Sequence, residues 1–269
     1  MSRASLRVPG DAGRLAPVVV GSASVLLLLG AWELVGNMPD SAIATVMPPP
    51  SLFLASVAES GFRIGLGAQA VTVYQAVFST LFRVFAGMGI AYFLAIVTGA
   101  LISMSRIADW VLSPILHLLA PIAPIAWIPV AIVMFGIGNT TAIFIVFMGV
   151  YFALTIATLA EIRRLPETFR VVANNLGATP WQQWLHVVLP AVLPGVFTLL
   201  RTNFIAAWMA VLVAEMVGLR DGIGAIIMMG RNLFNAELIM FGIVVIGVCG
   251  FVIDRLLAQM QQRLLWWRT

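Results

Sequence analysis

The chain has 269 residues, of which 61% are hydrophobic and only 10% are charged, whereas a soluble globular domain carries about 25% charged residues. Because so few charges cannot cover a water-facing surface, lipid must be the solvent for much of the chain. The formal net charge of +4 comes entirely from arginine. The arginines lie between apolar runs rather than on one soluble face, which excludes nucleic acid as a partner.

Six apolar stretches are long enough to cross the hydrocarbon core, which takes about 20 helical residues. They cover residues 17–35, 80–103, 113–135, 140–160, 191–216 and 236–258. The first follows arginines, as a signal peptide does, but lacks a small-x-small site before a soluble domain, so we predict a retained span. The third contains four prolines and is predicted to be kinked or divided into two segments, buried among other helices. The sequence therefore predicts an all-α, polytopic membrane protein.

The distribution of arginines predicts the orientation of the chain. With six spans and the N-terminus inside, the inner segments hold ten arginines, and the outer loops hold only Arg63, Arg220 and Arg231. Loops rich in arginine stay in the cytoplasm. We therefore expect cytoplasmic tails at 1–16 and 259–269 around one transmembrane domain at 17–258. Within the long outer connection 37–79, residues 61–79 are predicted to form an amphipathic segment that leads into the second span.

The inner loop 161–190 begins with the signals of a short amphipathic helix. Pro166 suits the first helical position, where its missing N–H costs nothing, and Gly177 suits the left-handed stop that ends a helix. Between them, four apolar residues spaced three and four apart share one face: Phe169, Val172, Ala173 and Leu176.

A second short helix is predicted to follow at once. Thr179 and Gln182 form a capping box around Pro180, and the helix continues with the apolar residues Trp181, Trp184, Leu185 and Val188. The apolar faces of both helices need burial. They pack either on the inner ends of the chain's own spans or in a groove of a partner protein.

Arg201, Trp208 and Glu215 recur every seven residues in the fifth span and therefore share one helical stripe. Arg201 and Glu215 are about 21 Å apart along the axis, too far to pair with each other. An intramembrane charge indicates a functional site by default. The stripe faces either the solute pathway or a second copy of the chain; alternatively, Arg201 reaches the inner interface and Glu215 the outer one.

The sequence has no lysine, so it cannot carry the P-loop site that binds ATP. Cys249 is the only cysteine and His117 and His186 are the only histidines, with no carboxylate at ligand spacing, so no metal site is predicted. No enzyme constellation is present. Any ATP chemistry must therefore belong to another subunit.

Several segments resemble a known family. Residues 175–182, Asn-Leu-Gly-Ala-Thr-Pro-Trp-Gln, and residues 187–195, Val-Val-Leu-Pro-Ala-Val-Leu-Pro-Gly, resemble the signature loop of binding-protein-dependent ABC importer permeases. That signature is an E-A-A segment, a Gly and an L-P at fixed distance. Further segments resemble the nitrate, sulfonate, taurine and bicarbonate subfamily: 47–51, 121–129, 135–139, 214–216 and 254–257. In one departure, Val171 stands where the acidic residue of the E-A-A segment is expected.

The resemblance implies a type I ABC importer permease of the bacterial inner membrane. Two copies pair around the pathway, two ATPase subunits each grip one loop 165–190, and an external binding protein delivers a small anionic solute. ATP and Mg²⁺ are bound by the ATPase, and this chain needs no cofactor. The residues implied in ATPase coupling are Glu167, Arg170, Ala173, Asn174, Leu176, Gly177, Ala178, Trp181, Leu189 and Pro190.

The residues predicted to line the translocation pathway are Arg201, Trp208, Glu215, Pro124 and Trp127. An ion-coupled secondary transporter is the alternative function. Such a transporter needs ionisable groups near the bilayer midplane, and only Arg201 is a candidate, with no buried Asp or Glu beside it. The sequence therefore favours the importer.

Overall fold

The computed structural model describes residues 12–38, 47–59, 63–64 and 71–264. Its helices are α1 (Ala12–Gly36), α2 (Pro50–Glu59), α3 (Val73–Met104), α4 (Arg106–Leu119), α5 (Ile128–Phe135), α6 (Asn139–Arg163), α7 (Glu167–Asn175), α8 (Pro180–Met216), α9 (Ile223–Asn232) and α10 (Ala236–Leu264). A 3₁₀ turn, Pro124–Trp127, precedes α5, and a π-turn, Trp184–Val188, lies within α8. A short antiparallel hairpin pairs β1 (Arg63–Ile64) with β2 (Val71–Thr72).

The predicted all-α membrane architecture is confirmed. Five helices in the described part of the chain are long and apolar enough to cross a membrane: α1, α3, α6, α8 and α10. The predicted third span is divided, because α4 and the segment Pro124–Phe135 meet at a bend of 100°. Pro121 lies in that break and Pro124 begins the next segment, and neither has the N–H that would continue α4.

Some helices begin or end outside the predicted apolar stretches, because residues next to a stretch also take helical structure. Helix α3 begins at Val73, directly after β2, so the second half of the predicted amphipathic segment 61–79 belongs to the span helix itself. Of its first half, residues 61–62 and 65–70 lie outside the described part. At this early start, the side chain of Gln75 accepts from the N–H of the N-cap Thr72 at 3.2 Å and so satisfies a backbone group before the first turn. Helix α9 was not predicted, since ten residues are too few to produce a spanning signal. Residues 1–11 and 265–269 of the predicted tails lie outside the described part.

The core of the bundle is the parallel pair α3 and α6, in which Arg83 lies beside Asn139 and Gly99 beside Thr158. Helix α3 presents a small residue every four positions along one buried face: Gly87, Ala91, Ala95 and Gly99. Helix α6 opposes it with larger buried residues at the same spacing: Val146, Val150, Leu154, Thr158 and Ile162. A Cβ at Gly87 would lie 2.7 Å from Val146, so the helices approach as closely as their backbones allow.

Helices α8 and α10 complete the bundle and run antiparallel to each other. Arg201 and Thr198 of α8 bond Asp254 and Gln261 of α10, respectively. We call the end of the bundle that carries α7 the loop end and the opposite end the far end. Helix α8 runs from the loop end to the far end, where α9 follows. Helix α1 packs at the periphery, with its Trp32 ring 5.8 Å from Phe53 of α2.

Candidate functional site

The loop between α6 and α8 folds as a compact helix–turn–helix, as its caps predicted. At the end of α7, Gly177 takes the left-handed conformation, with φ at +73°. The N–H of Ala178 bonds the carbonyl of Ala173 at 3.1 Å, and the N–H of Gly177 bonds that of Asn174 at 2.9 Å. The side chain of Gln183 donates to the Ala178 carbonyl at 2.9 Å and to the side chain of Asn174. The turn is therefore held by backbone bonds at the end of α7 and by a side chain of α8.

The first turn of α8 contains the predicted capping box. Gln182 Oε1 accepts from the N–H of Thr179 at 2.9 Å, and Thr179 Oγ1 accepts from the N–H of Gln182 at 3.4 Å. Trp184 is buried and donates from Nε1 to Ser103 Oγ at 3.2 Å. This bond fixes the loop to the last turn of α3. Leu189 is half-buried and Pro190 exposed, just past the π-turn.

The two loop helices differ in where their apolar faces lie. In α8, Trp184 and Val188 pack against the chain's own core. Of the four apolar residues predicted to share one face of α7 and its C-cap, Ala173 is buried, whereas Phe169, Val172 and Leu176 are exposed, and Leu176 is 81% exposed. Packing on the chain's own spans is therefore the outcome for one helix and not for the other.

Most of the remaining residues predicted for ATPase coupling are exposed as well. Trp181 is 62% exposed, Glu167 and Asn174 are exposed, and Ala178 is half-buried. The side chain of Arg170 lies outside the described part. Val171 is exposed and lines a cavity of about 690 Å³ at the loop end.

A cluster of buried polar side chains lies at the far end, centred on Arg83. All five N–H groups of its guanidinium find an acceptor. Nε and Nη2 donate to Asn139 Oδ1 at 2.8 and 2.6 Å, and Nη2 also donates to Asp221 Oδ1 at 2.6 Å. Nη1 donates to Glu215 Oε1 at 2.7 Å and to the Asp221 carbonyl at 2.9 Å. The side chains of Arg83 and Glu215 are both fully buried.

Glu215 is equally well satisfied. Besides Arg83, its carboxylate accepts from Thr80 Oγ1 at 2.8 Å and from the N–H of Gly224 at 2.9 Å. Thr80 in turn accepts from the N–H of Ile223 at 3.0 Å. A buried ion pair is tolerated only when further hydrogen bonds satisfy both ions, and this cluster, which we call the Arg83 cluster, meets that condition.

The Arg83 cluster joins three helices that are distant in sequence and the loop that follows the last of them. Arg83 and Thr80 come from α3, Asn139 from the first turn of α6, Glu215 from the end of α8 and Asp221 from the following loop. The sequence offered Arg201 as the only ionisable candidate near the midplane, with no buried Asp or Glu beside it. The structure pairs Arg201 with the partly exposed Asp254 and adds a second, fully buried pair, Arg83 and Glu215. The position of Arg83 within an apolar run was a visible signal of a buried charge. Its partners are too remote in the chain to be identified from the sequence.

Two of the three stripe residues point into the chain's own helices. Trp208 is 3% exposed and packs against Gly250 of α10, and Glu215 belongs to the Arg83 cluster. Arg201 is half-exposed and forms a bidentate ion pair with Asp254 at 2.8 and 2.9 Å. Of the three, only Arg201 lies at an open surface in this conformation.

The other two residues predicted for the pathway lie at the break before α5. Pro124 is half-buried, and its ring lies 2.9 Å from the position of a Cβ on Gly149 of α6. Trp127 is half-buried, and its Nε1 has no hydrogen-bond partner among the described residues. Both therefore border α6 where the chain turns through 100°.

Solved structures share this fold. One chain of the MetNI methionine ABC transporter in inward-facing conformations has a TM-score of 0.62 and 20% identity over 71% of this chain and 95% of that chain. A chain of a bacterial ABC transporter that imports the acidic polysaccharide alginate has the same TM-score, with 13% identity over 95% of this chain and 98% of that chain. The fold is thus that of an ABC importer permease.

The chain belongs to the family described as binding-protein-dependent transport system inner membrane component, whose model matches residues 87–266. It is 30% identical to the bicarbonate transport system permease protein of Synechococcus elongatus, over 94% of this chain and 91% of that protein. It is 27% identical to the nitrate import permease protein of Synechocystis, over 90% and 87%. It is 24% identical to the taurine transport system permease protein of Escherichia coli, over 93% and 90%. The chain is therefore a multi-pass inner-membrane permease.

Proposed function

We propose that two copies of this chain form the translocation pathway of an ATP-driven importer for a small anionic solute. An external binding protein delivers the solute at the far end, and each copy docks one ATPase subunit at the loop end, which lies in the cytoplasm. The solute class follows the bicarbonate, nitrate and taurine named for the relatives. ATP and Mg²⁺ are bound by the ATPase, so this chain contributes the pathway and the docking surface.

The observation that carries the docking proposal is the exposed apolar face of α7. A surface helix normally turns such a face towards its own core. Here Phe169, Val172 and Leu176 point away from the bundle, while the turn beneath them is fixed by backbone bonds and by Gln183. A rigid helix with three apolar anchors at this spacing fits a hydrophobic groove of a partner.

The loop is also joined firmly to the spans that would have to move. Trp184 bonds Ser103 of α3 and packs with Ile162 of α6, and the second loop helix is the start of α8 itself. A displacement of α7 by a bound ATPase would therefore reach three spans through direct contacts.

Leu176→Asp tests the docking surface. We expect the affinity of the permease for its ATPase to fall about 10- to 100-fold, since burial of a leucine side chain contributes about 1.5–3 kcal/mol. Co-purification and titration of the ATPase against the permease in nanodiscs measure this affinity. Asn175→Asp is the matched control, because it adds the same charge one residue away without removing an apolar group. Equal affinities for both variants would contradict the proposal.

Val171→Glu restores the acidic residue of the family signature and tests whether a salt bridge or the apolar face dominates. We expect the ATPase affinity to rise less than about threefold, because the new carboxylate lies one turn from Glu167 and like charges at this spacing repel. The same titration measures the effect. A gain of tenfold or more would show that the apolar contacts of α7 are the minor part of the docking energy.

A further inference from the structure

The turn between α9 and α10 holds a bulky residue where helices normally end on glycine. The N–H of Asn235 bonds the carbonyl of Gly230 at 2.8 Å, and that of Phe234 bonds the carbonyl of Arg231 at 3.2 Å. This is the pattern of a helix stop whose central residue is left-handed. Phe234 is that residue, with φ at +52°, and no other non-glycine residue in the described ranges has a positive φ. The conformation is disfavoured for an aromatic side chain.

The ring of Phe234 does not stabilise the isolated chain. It is 96% exposed, so it buries no apolar area that would offset the backbone strain. The turn that presents it is rigid, because Asn235 Oδ1 caps α10 by accepting from the N–H of Leu238 at 2.9 Å. A Cβ at Gly230 would lie 2.9 Å from Ile239. A strained residue held in a fixed exposed position indicates a binding contact rather than a packing one.

The surroundings of Phe234 are those of an interface. A cavity of about 770 Å³ lies beside it, lined by Leu233 and Asn232 of the same turn, by Met228 and Met229 of α9, and by Arg220 and Asp221, whose carboxylate is paired with Arg83. Arg220 and Arg231 are exposed and form no ion pair within the described part of the chain. An apolar hollow and an exposed aromatic ring, flanked by two cations, match a partner with an apolar anchor site and an acidic rim.

We propose that Phe234 is the anchor by which the external binding protein docks on the far end of the permease. Its ring enters an apolar pocket of the binding protein, and Arg220 and Arg231 meet carboxylates at the rim of that pocket. This inference rests on the proposed function, which places the far end outside the cell. A role as a membrane-interface anchor is less suited to phenylalanine, since that role favours the polar tips of Trp and Tyr.

For Phe234→Gly we expect opposite effects on binding and on stability. The permease–ATPase complex in nanodiscs should bind the solute-binding protein of the same transport system at least tenfold more weakly. The apparent Tm of the permease should stay equal or rise, because glycine accepts the left-handed conformation. Phe234→Tyr should keep the affinity within about threefold. Arg220→Gln with Arg231→Gln should slow association and reduce its salt dependence.

Each other result would overturn the inference. Unchanged affinity in Phe234→Gly would mean that the ring is not an anchor. Loss of the permease dimer, measured by native mass spectrometry, would assign the ring to the second copy. A fall in Tm in nanodiscs without a change in affinity would assign it to the lipid interface. If the wild-type complex bound no solute-binding protein in any nucleotide state, the proposed function itself would fail rather than the assignment of Phe234.

Discussion

Replacing Arg83 with methionine is expected to lower the free energy of unfolding of the permease by about 3–5 kcal/mol. The substitution keeps most of the volume but leaves the buried Glu215 carboxylate without its counter-ion, and breaking one side of a buried ion pair has a cost of this size. It also removes the bonds that attach Asn139 and Asp221 to α3. We expect a loss of about 10 °C in apparent Tm in detergent, with lower yield of folded protein.

Arg201→Met provides the matched control for Arg83→Met. Arg201 also forms an ion pair, with Asp254, but its side chain is 44% exposed. Ion pairs open to solvent typically contribute about 0–1 kcal/mol. A Tm loss in Arg83→Met no larger than in Arg201→Met would mean that the Arg83 cluster does not hold the far end together. Adding Glu215→Gln to Arg83→Met should recover part of the loss, because it removes the unpaired charge.

Gly222→Ala should be nearly as damaging, although it adds one methyl group. Gly222 has φ at +111°, and a Cβ there would lie 2.3 Å from Cδ of Glu215. The alanine must therefore strain the backbone and displace the buried carboxylate at once. We expect a loss of about 3 kcal/mol or more, combining backbone strain with disruption of the cluster, measured as apparent Tm in detergent.

Gly218→Ala separates the two contributions. Gly218 lies in the same loop, has φ at +123°, and a Cβ there would meet only Ile137 at 3.6 Å, an ordinary contact. Its cost should be backbone strain alone, about 1–3 kcal/mol. If both alanine variants lost the same stability, contact with Glu215 would contribute nothing and the fit of the loop around the Arg83 cluster would be irrelevant.

Local signals in the sequence predicted the parts of the structure that local chemistry determines. Long apolar runs gave the spans, and Thr179 with Gln182 gave the capping box that starts α8. The left-handed Gly177 was predicted for the same reason, since only a few residues within one turn decide it. The proline-rich third stretch was predicted to be kinked or divided, and it is divided.

The far end was not predicted, because its structure depends on contacts between remote residues. Arg83 and Glu215 are 132 positions apart, and Arg83 and Asp221 are 138 apart. Nothing near either residue identifies the partner. The exposure of the α7 face was left open for a related reason. Apolar periodicity shows that a face needs burial, and only the tertiary structure shows whether the chain itself supplies it.

The continuous course of α8 has a mechanical consequence. Its 37 residues span about 55 Å, so a tilt of about 5° at one end displaces the other by about 5 Å if the helix behaves as a rod. The π-turn, Pro190 and Pro194 all interrupt regular hydrogen bonding in its first half, whereas residues 195–216 contain no proline. Helix α8 thus bends more easily near the loop end and is stiff towards Glu215. Its stiff part can therefore turn as one rod about a joint close to the loop end.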